Sequence, residues 1–214
     1  MKTRAVFLDA LGTLVELEPP WTHLAAQLGI EPDARLVGAV RAEMAYYKAH
    51  AHEGRDDESL AELRRRCAAV LSAELGTEIT VETMMAAIRF RAFADAQPAL
   101  SALRDLDLRL VCVSNWDVSL PEVLRRCGLR DLLDGAVSSA AVGARKPDPA
   151  IFTPALELAE CEPDVALVVG DTREEDVAGA RAAGIPALLL DRDGNADIAS
   201  LAEVPDRLSG RMPA

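Results

Sequence analysis

Four short stretches of the 214-residue chain hold the residue types that can do chemistry. In FLDALGTL, Asp9 ends an apolar run and precedes a Gly-Thr turn, a place that suits a nucleophile. In VSNWD, Ser114 and Asn115 end a second apolar run. In GARKPDPAIF, Lys146 stands before a proline, and in GDTREEDVAGA, Asp171 ends a third run with Asp176 five residues on. Each has an ordinary structural reading. A strand-end Asp accepts hydrogen bonds from its own turn, Ser114 and Asn115 suit a turn, and Asp117 suits the cap of the next helix. Lys146 can be solvated, and Asp171 with Glu174 three residues later has the pattern of a capping box. The combination says more than any member. Carboxylates, one cation and hydroxyl or amide donors are the set a phosphate-processing site needs, provided the fold brings them to one place.

The elements around them supply that condition. Arg4 to Asp9 reads as a buried strand, but the next strand is far away: from about Glu18 to Asp95 every stretch looks helical, with breaks at Gly29, Gly54 and Gly76. Within it, Leu60, Leu63, Cys67, Val70, Leu71 and Leu75 recur at steps of three and four and form one apolar stripe. After Pro98, helices and strands alternate through LRLVCVSN, GAVSSA, VALVVGD and PALLLD. Alternation with short links predicts an α/β fold, a parallel sheet covered on both faces whose ligands bind at the carboxyl ends of the strands. Residues 1–17 and 96–214 then form the core, and 18–95 a helical insertion. Asp9, Ser114, Asn115 and Asp171 all fall at predicted strand ends. The tail from Ala196 to Ala214 reads as a short helix followed by an irregular end.

A net charge of −12 argues against a surface that gathers nucleic acid or anionic lipid, and favours a small-molecule partner met by locally concentrated Lys and Arg. The four cysteines, Cys67, Cys112, Cys127 and Cys161, have no paired spacing, so reduced thiols in a soluble cytoplasmic protein are expected, with no metal on them. Apolar runs are of strand length, well under the roughly 20 residues that cross a bilayer. The sequence does not set an oligomeric state.

In order and spacing, Asp9 to Thr13, Ser114, Lys146, and Asp171 with Asp176 resemble the four motifs of the haloacid dehalogenase (HAD) superfamily, and the insertion is similar in place and character to that family's helical cap. The resemblance implies a Rossmann-like core and covalent catalysis, in which Asp9 attacks and water hydrolyses the aspartyl intermediate. In the phosphatase branch it implies Mg²⁺ held by Asp9, the Leu11 carbonyl, Asp171 and, through water, Asp176. Lys146 would neutralise charge, and Thr13, Ser114 and Asn115 would hydrogen-bond the transferred group of a phosphorylated small molecule. The departure is Leu11, where family phosphatases carry the Asp that protonates the leaving group. That favours the metal-free dehalogenase branch, in which a halide leaves unprotonated, whereas Asp171 stands where that branch has a small residue such as Ser. A Mg²⁺-dependent phosphoester hydrolase is therefore expected, with a 2-haloacid dehalogenase, or a binding or regulatory protein that has lost the chemistry, as alternatives. In the cap, His23, His50 and His52 read as solvated and Trp21, Tyr46 and Tyr47 as packing groups. Arg41 and Arg89 are candidates for an anionic substrate tail.

Overall fold

The computed structural model describes residues 2–210. In chain order the strands are β1 (Ala5–Leu8), β2 (Val15–Leu17), β3 (Phe90–Ala92), β4 (Arg109–Ser114), β5 (Gly135–Ser138), β6 (Ala166–Gly170) and β7 (Ala187–Leu189). Helices α1 (Pro20–Leu28), α2 (Ala34–His50), α3 (Asp57–Leu75) and α4 (Val81–Ala87) lie between β2 and β3. The remaining helices are α5 (Ala96–Asp105), α6 (Leu120–Arg126), α7 (Ser139–Val142), α8 (Thr153–Ala159), α9 (Gly179–Ala182) and α10 (Glu203–Ser209). The predicted tail helix is α10, and the end of that tail, 211–214, lies outside the described residues.

Five strands form one parallel sheet in the order β5-β4-β1-β6-β7, an α/β arrangement of the Rossmann-like kind. The first strand is central because its residues, AVFL, are buried on both faces and need a neighbour on each side. Alternation then divides the core in two. Val6, Leu8, Leu110, Cys112, Leu167 and Val169 point to the side covered by α5, α6 and α10. Phe7, Val111, Val113 and Val168 point to the opposite side, against Ile151, Phe152, Ala155 and Ala180. Helices α1 to α4 bury a separate apolar cluster of their own, including Leu36, Leu63, Leu71 and Met84.

One expectation is corrected. The stretch through Asp95 is not wholly helical: α4 stops at Ala87, and Phe90–Ala92 pairs antiparallel with Val15–Leu17. This two-stranded ribbon joins the two chain crossings between sheet and insertion. Three residues are too few to establish a period of two, and the partner strand lies far back in the chain, so local periodicity could not reveal the pairing. Arg91 on β3 reaches Glu16 on β2 at 2.9 Å, a contact only the folded ribbon creates.

Candidate active site

The register of the sheet assembles the site. Leu8 of β1 lies beside Cys112 of β4 and Val169 of β6, so Asp9, Ser114 and Asp171 leave three adjacent strands at the same edge. This is the switch point of the sheet, where the connections on either side of β1 diverge and leave a crevice.

Asp9 is held at its first oxygen. Oδ1 accepts from Ser114 Oγ at 2.9 Å and from Lys146 Nζ at 2.5 Å, while Oδ2 receives no hydrogen bond among the described residues. Lys146 is 2% exposed, and its ammonium also donates to Asp176 Oδ1 at 2.5 Å and to the Val113 carbonyl at 3.0 Å. Its three N–H bonds are thus all taken within the protein, and Lys146 forms no part of the cavity wall. Burial alone would lower the lysine pKa, but Asp9 and Asp176 outweigh it and push the value up, so the ammonium stays charged. In this geometry the lysine is an internal counter-charge to Asp9 and Asp176.

Asp176 comes from a wide, π-type turn over Arg173–Ala178, in which the Val177 N–H reaches back to the Thr172 carbonyl at 3.4 Å. Its Oδ2 accepts from the Thr172 N–H at 2.9 Å. This replaces the anticipated capping box, since neither Asp171 nor Glu174 caps the turn. Two glycines make room for the carboxylates. A Cβ on Gly170 would come within 2.2 Å of Asp176 Cγ, and one on Gly12, whose φ is +90°, within 2.1 Å of Asp171 Oδ2.

Asp9, Asp171 and Asp176 each offer an oxygen, and these oxygens all lie within 4.8 Å of one another. Three carboxylates share one ammonium, a local deficit of two positive charges. Burial, then the charges of Asp9 and Asp176, push Asp171 up to about 6, and burial followed by Asp176 raises Asp9 although Lys146 opposes it. A hard divalent cation fits both the donor set and the deficit.

The other expected donors divide. Asn115 does not point freely at the crevice: its Oδ1 accepts from the Lys146 N–H at 2.8 Å, and its Nδ2 donates to the Lys146 carbonyl at 3.0 Å and to Glu175 at 3.1 Å. Thr13 is fully buried beneath the turn, off the cavity wall, and its hydroxyl has no partner among the described residues. Leu11 does face the cavity, and is 43% exposed. Asp117 does not cap α6, whose N-cap residue is Ser119; it accepts from the Ser119 N–H in the turn ahead of the helix and also receives the Tyr47 hydroxyl at 2.8 Å.

Over this sheet edge lies a cavity of about 920 Å³, roofed by α2, α3 and α4. Arg41 and Arg89 are exposed and off its wall, whereas Lys48, Arg64, Arg126 and Arg145 line it. His52 also reaches it, and Trp21 and Tyr46 pack against the insertion's own core. The buried Glu43 on the wall escaped the sequence reading. Its signal was available: it continues the stripe of Leu36, Ala39 and Val40, where an apolar residue is expected.

Comparison with known proteins agrees with this arrangement. A family model described as haloacid dehalogenase-like hydrolase matches residues 3–184. Haloacid dehalogenase-like hydrolase domain-containing protein 3 of Bos taurus is 42% identical over 95 residues, 44% of this chain and 38% of that protein. The glyceraldehyde 3-phosphate phosphatase of Methanothermobacter thermautotrophicus is 34% identical over 104 residues, 48% of this chain and 46% of that protein. The matches thus span less than half the length of these curated relatives. The solved 2-haloacid dehalogenase of Pseudomonas syringae pv. Tomato DC3000 shares the fold at a TM-score of 0.64 and 23% identity, over 98% of this chain and 100% of that one. With a family model matched across most of its length and the motif residues gathered at one sheet edge, the chain belongs to the haloacid dehalogenase-like hydrolases.

Proposed function

We propose that this protein is a Mg²⁺-dependent phosphoester hydrolase in which Asp9 is the nucleophile. The observation that carries the reading is Asp171: it brings a third carboxylate to a site with a single ammonium, an arrangement suited to a divalent cation. Asp9, Asp171, Asp176 and the Leu11 carbonyl are the proposed ligands, and the bound cation would supply positive charge to offset that of the phosphoryl group.

Within the chain, Ser114 and Lys146 fix Asp9 through Oδ1, which leaves Oδ2 as the attacking oxygen. Attack on phosphorus forms an acyl phosphate on Asp9 and expels the leaving oxygen with its electron pair; water then cleaves the acyl phosphate, returning the carboxylate and inorganic phosphate. Asn115 holds the Lys146 main chain from both sides, so it acts as a positioning residue for the counter-charge. Leu11 can neither protonate the leaving oxygen nor activate water. The site should therefore favour leaving groups that depart as stable anions, such as acyl phosphates and aryl esters. Several relatives are named as phosphatases, among them the M. thermautotrophicus protein, which supports the same class.

The test uses 4-nitrophenyl phosphate. Turnover should require Mg²⁺, stop with chelator, and fall by at least about 10³-fold in Asp9→Asn. Mg²⁺ at a hundred times its dissociation constant should stabilise the wild type by about 2.7 kcal/mol, seen as a rise in Tm. Normal turnover by Asp9→Asn would remove the nucleophile assignment. Leu11 favours the second reading, dehalogenation, for which chelator-insensitive halide release from a 2-haloacid is the decisive result.

A further inference from the structure

Glu43 occupies a position on α2 that the sequence pattern reserves for an apolar side chain. It follows Leu36, Ala39 and Val40 on the buried face of the helix and is only 6% exposed. A carboxylate there has given up most of its hydration, which is unfavourable unless a partner replaces the water. Among the described residues the protein supplies no partner of that kind. Among the described residues no cation forms an ion pair with Glu43 and no N–H donates to it; Lys48 and Arg64 line the same cavity without pairing with it. Burial raises the Glu43 carboxyl above its ordinary value, and the neighbouring Cys67 thiol, a weak donor, works the other way. Burial pushes that thiol up to about 12, with the charge of Glu43 adding to the effect, so it stays neutral and supplies no counter-charge.

The carboxylate opens on the cavity. Glu43 lines it, and neither of its oxygens is among the sealed, unpartnered polar atoms of the described residues. Asp9 lines the same cavity, and the wall they share also includes the apolar side chains of Leu11, Met84, Met85 and Phe90. The same cavity thus holds the carboxylate cluster of the sheet edge and, on the roof helix α2, a carboxylate with no ion-pair partner among the described residues.

We propose that Glu43 is a specificity residue that receives an ammonium group on the leaving portion of the substrate, so that this site selects amine-bearing phosphate esters over neutral ones. The phosphate end of this inference rests on the hydrolase reading above. The ammonium end rests on the buried, unpaired carboxylate alone. A bound cation would replace the hydration Glu43 has lost, and its charge would be felt strongly beside a buried carboxylate.

Non-hydrolysable ligands separate the two. Binding of ω-aminoalkylphosphonates of graded chain length is measured by calorimetry in Mg²⁺, beside n-alkyl and ω-hydroxyalkyl isosteres. At the best length the wild type should hold the ammonium ligand about tenfold or more tighter than either isostere. Glu43→Gln, which keeps size and shape, should erase the difference. Glu43→Leu completes the apolar stripe, and should also erase it while raising the melting temperature; a purely structural Glu43 would give a lower one. Equal binding of all three ligand types by the wild type, discrimination that survives in Glu43→Gln, or no binding by any member overturns the proposal. Turnover of 4-nitrophenyl phosphate is followed separately: its absence removes the hydrolase reading, while the calorimetry still decides on Glu43.

Discussion

Leu11 shows how much one side chain can change while the site around it stays intact. Its carbonyl is available as in any residue, and its side chain, 43% exposed, faces the cavity. Leu11→Asp adds a carboxylate to a wall that already holds Asp9, Asp171 and Asp176, so it should lower stability without Mg²⁺ and lower it less at saturating Mg²⁺. If the missing acid is what limits the site, the substitution recovers part of a factor of roughly 10² to 10⁴, and the gain is larger for alkyl than for aryl phosphates, whose leaving groups need less help. The measurement is kcat/KM for both ester classes in both proteins at saturating Mg²⁺. Wild-type rates on alkyl esters that equal those on aryl esters would show that another group supplies the proton.

At the scale of elements, the two crossings into the insertion are tied together by a residue from neither. Arg192, beyond β7, donates to the Thr13 carbonyl at 2.8 Å and to Asp95 at 3.0 Å, and its guanidinium lies 3.6 Å from the centre of the Phe93 ring. Asp95 in turn accepts from the Ser200 hydroxyl at 2.7 Å and the Leu201 N–H at 2.9 Å. One ion pair thereby joins the turn after Asp9, the return from β3 and the C-terminal segment. Arg192→Ala should lower unfolding stability by about 2 kcal/mol, read as a lower urea midpoint at unchanged slope. Burial works to raise the Asp95 carboxyl, but Arg192, Ser200 and Leu201 together hold it below its ordinary 3.8. The stabilisation is then complete above that value and is lost as pH falls through the depressed one. Asp95→Asn should flatten this acid limb of the stability profile, and an unchanged limb would place the pH dependence elsewhere.

For the molecule as a whole, the meeting of insertion and core decides what the cavity is. Tyr47 on α2 donates to the buried Asp117 at 2.8 Å, and the Val118 N–H reaches the Gly54 carbonyl at 3.0 Å. Burial, then the charge of Asp117, pushes the phenol well above its ordinary 10, so it remains a donor through neutral pH. Tyr47→Phe leaves a buried carboxylate oxygen without that donor and should cost about 1–3 kcal/mol. Because it loosens the roof and leaves the sheet edge alone, KM should rise more than kcat falls. A change confined to kcat would mean that the contact serves the chemistry and not closure.

The sequence by itself determined the alternating α/β core, the helical insertion and the four motif stretches, because periodicity and strand-end position are local properties written in consecutive residues. Asp9, Ser114 and Asp171 were legible for that reason, and the parallel register then made them neighbours, while Asp176 reaches them from the turn after β6. What each side chain bonds to was a matter for the tertiary structure alone. Lys146 has all its donors taken inside the protein, Asn115 grips the lysine backbone, Thr13 lies sealed beneath its turn, and β2 pairs with β3 across the whole insertion. These facts depend on contacts between residues distant in the chain, and such contacts have no period for a sequence to display. Glu43 stands between the two cases: its helix stripe marked it as buried, but only the folded cavity showed that its carboxylate has no protein cation beside it among the described residues.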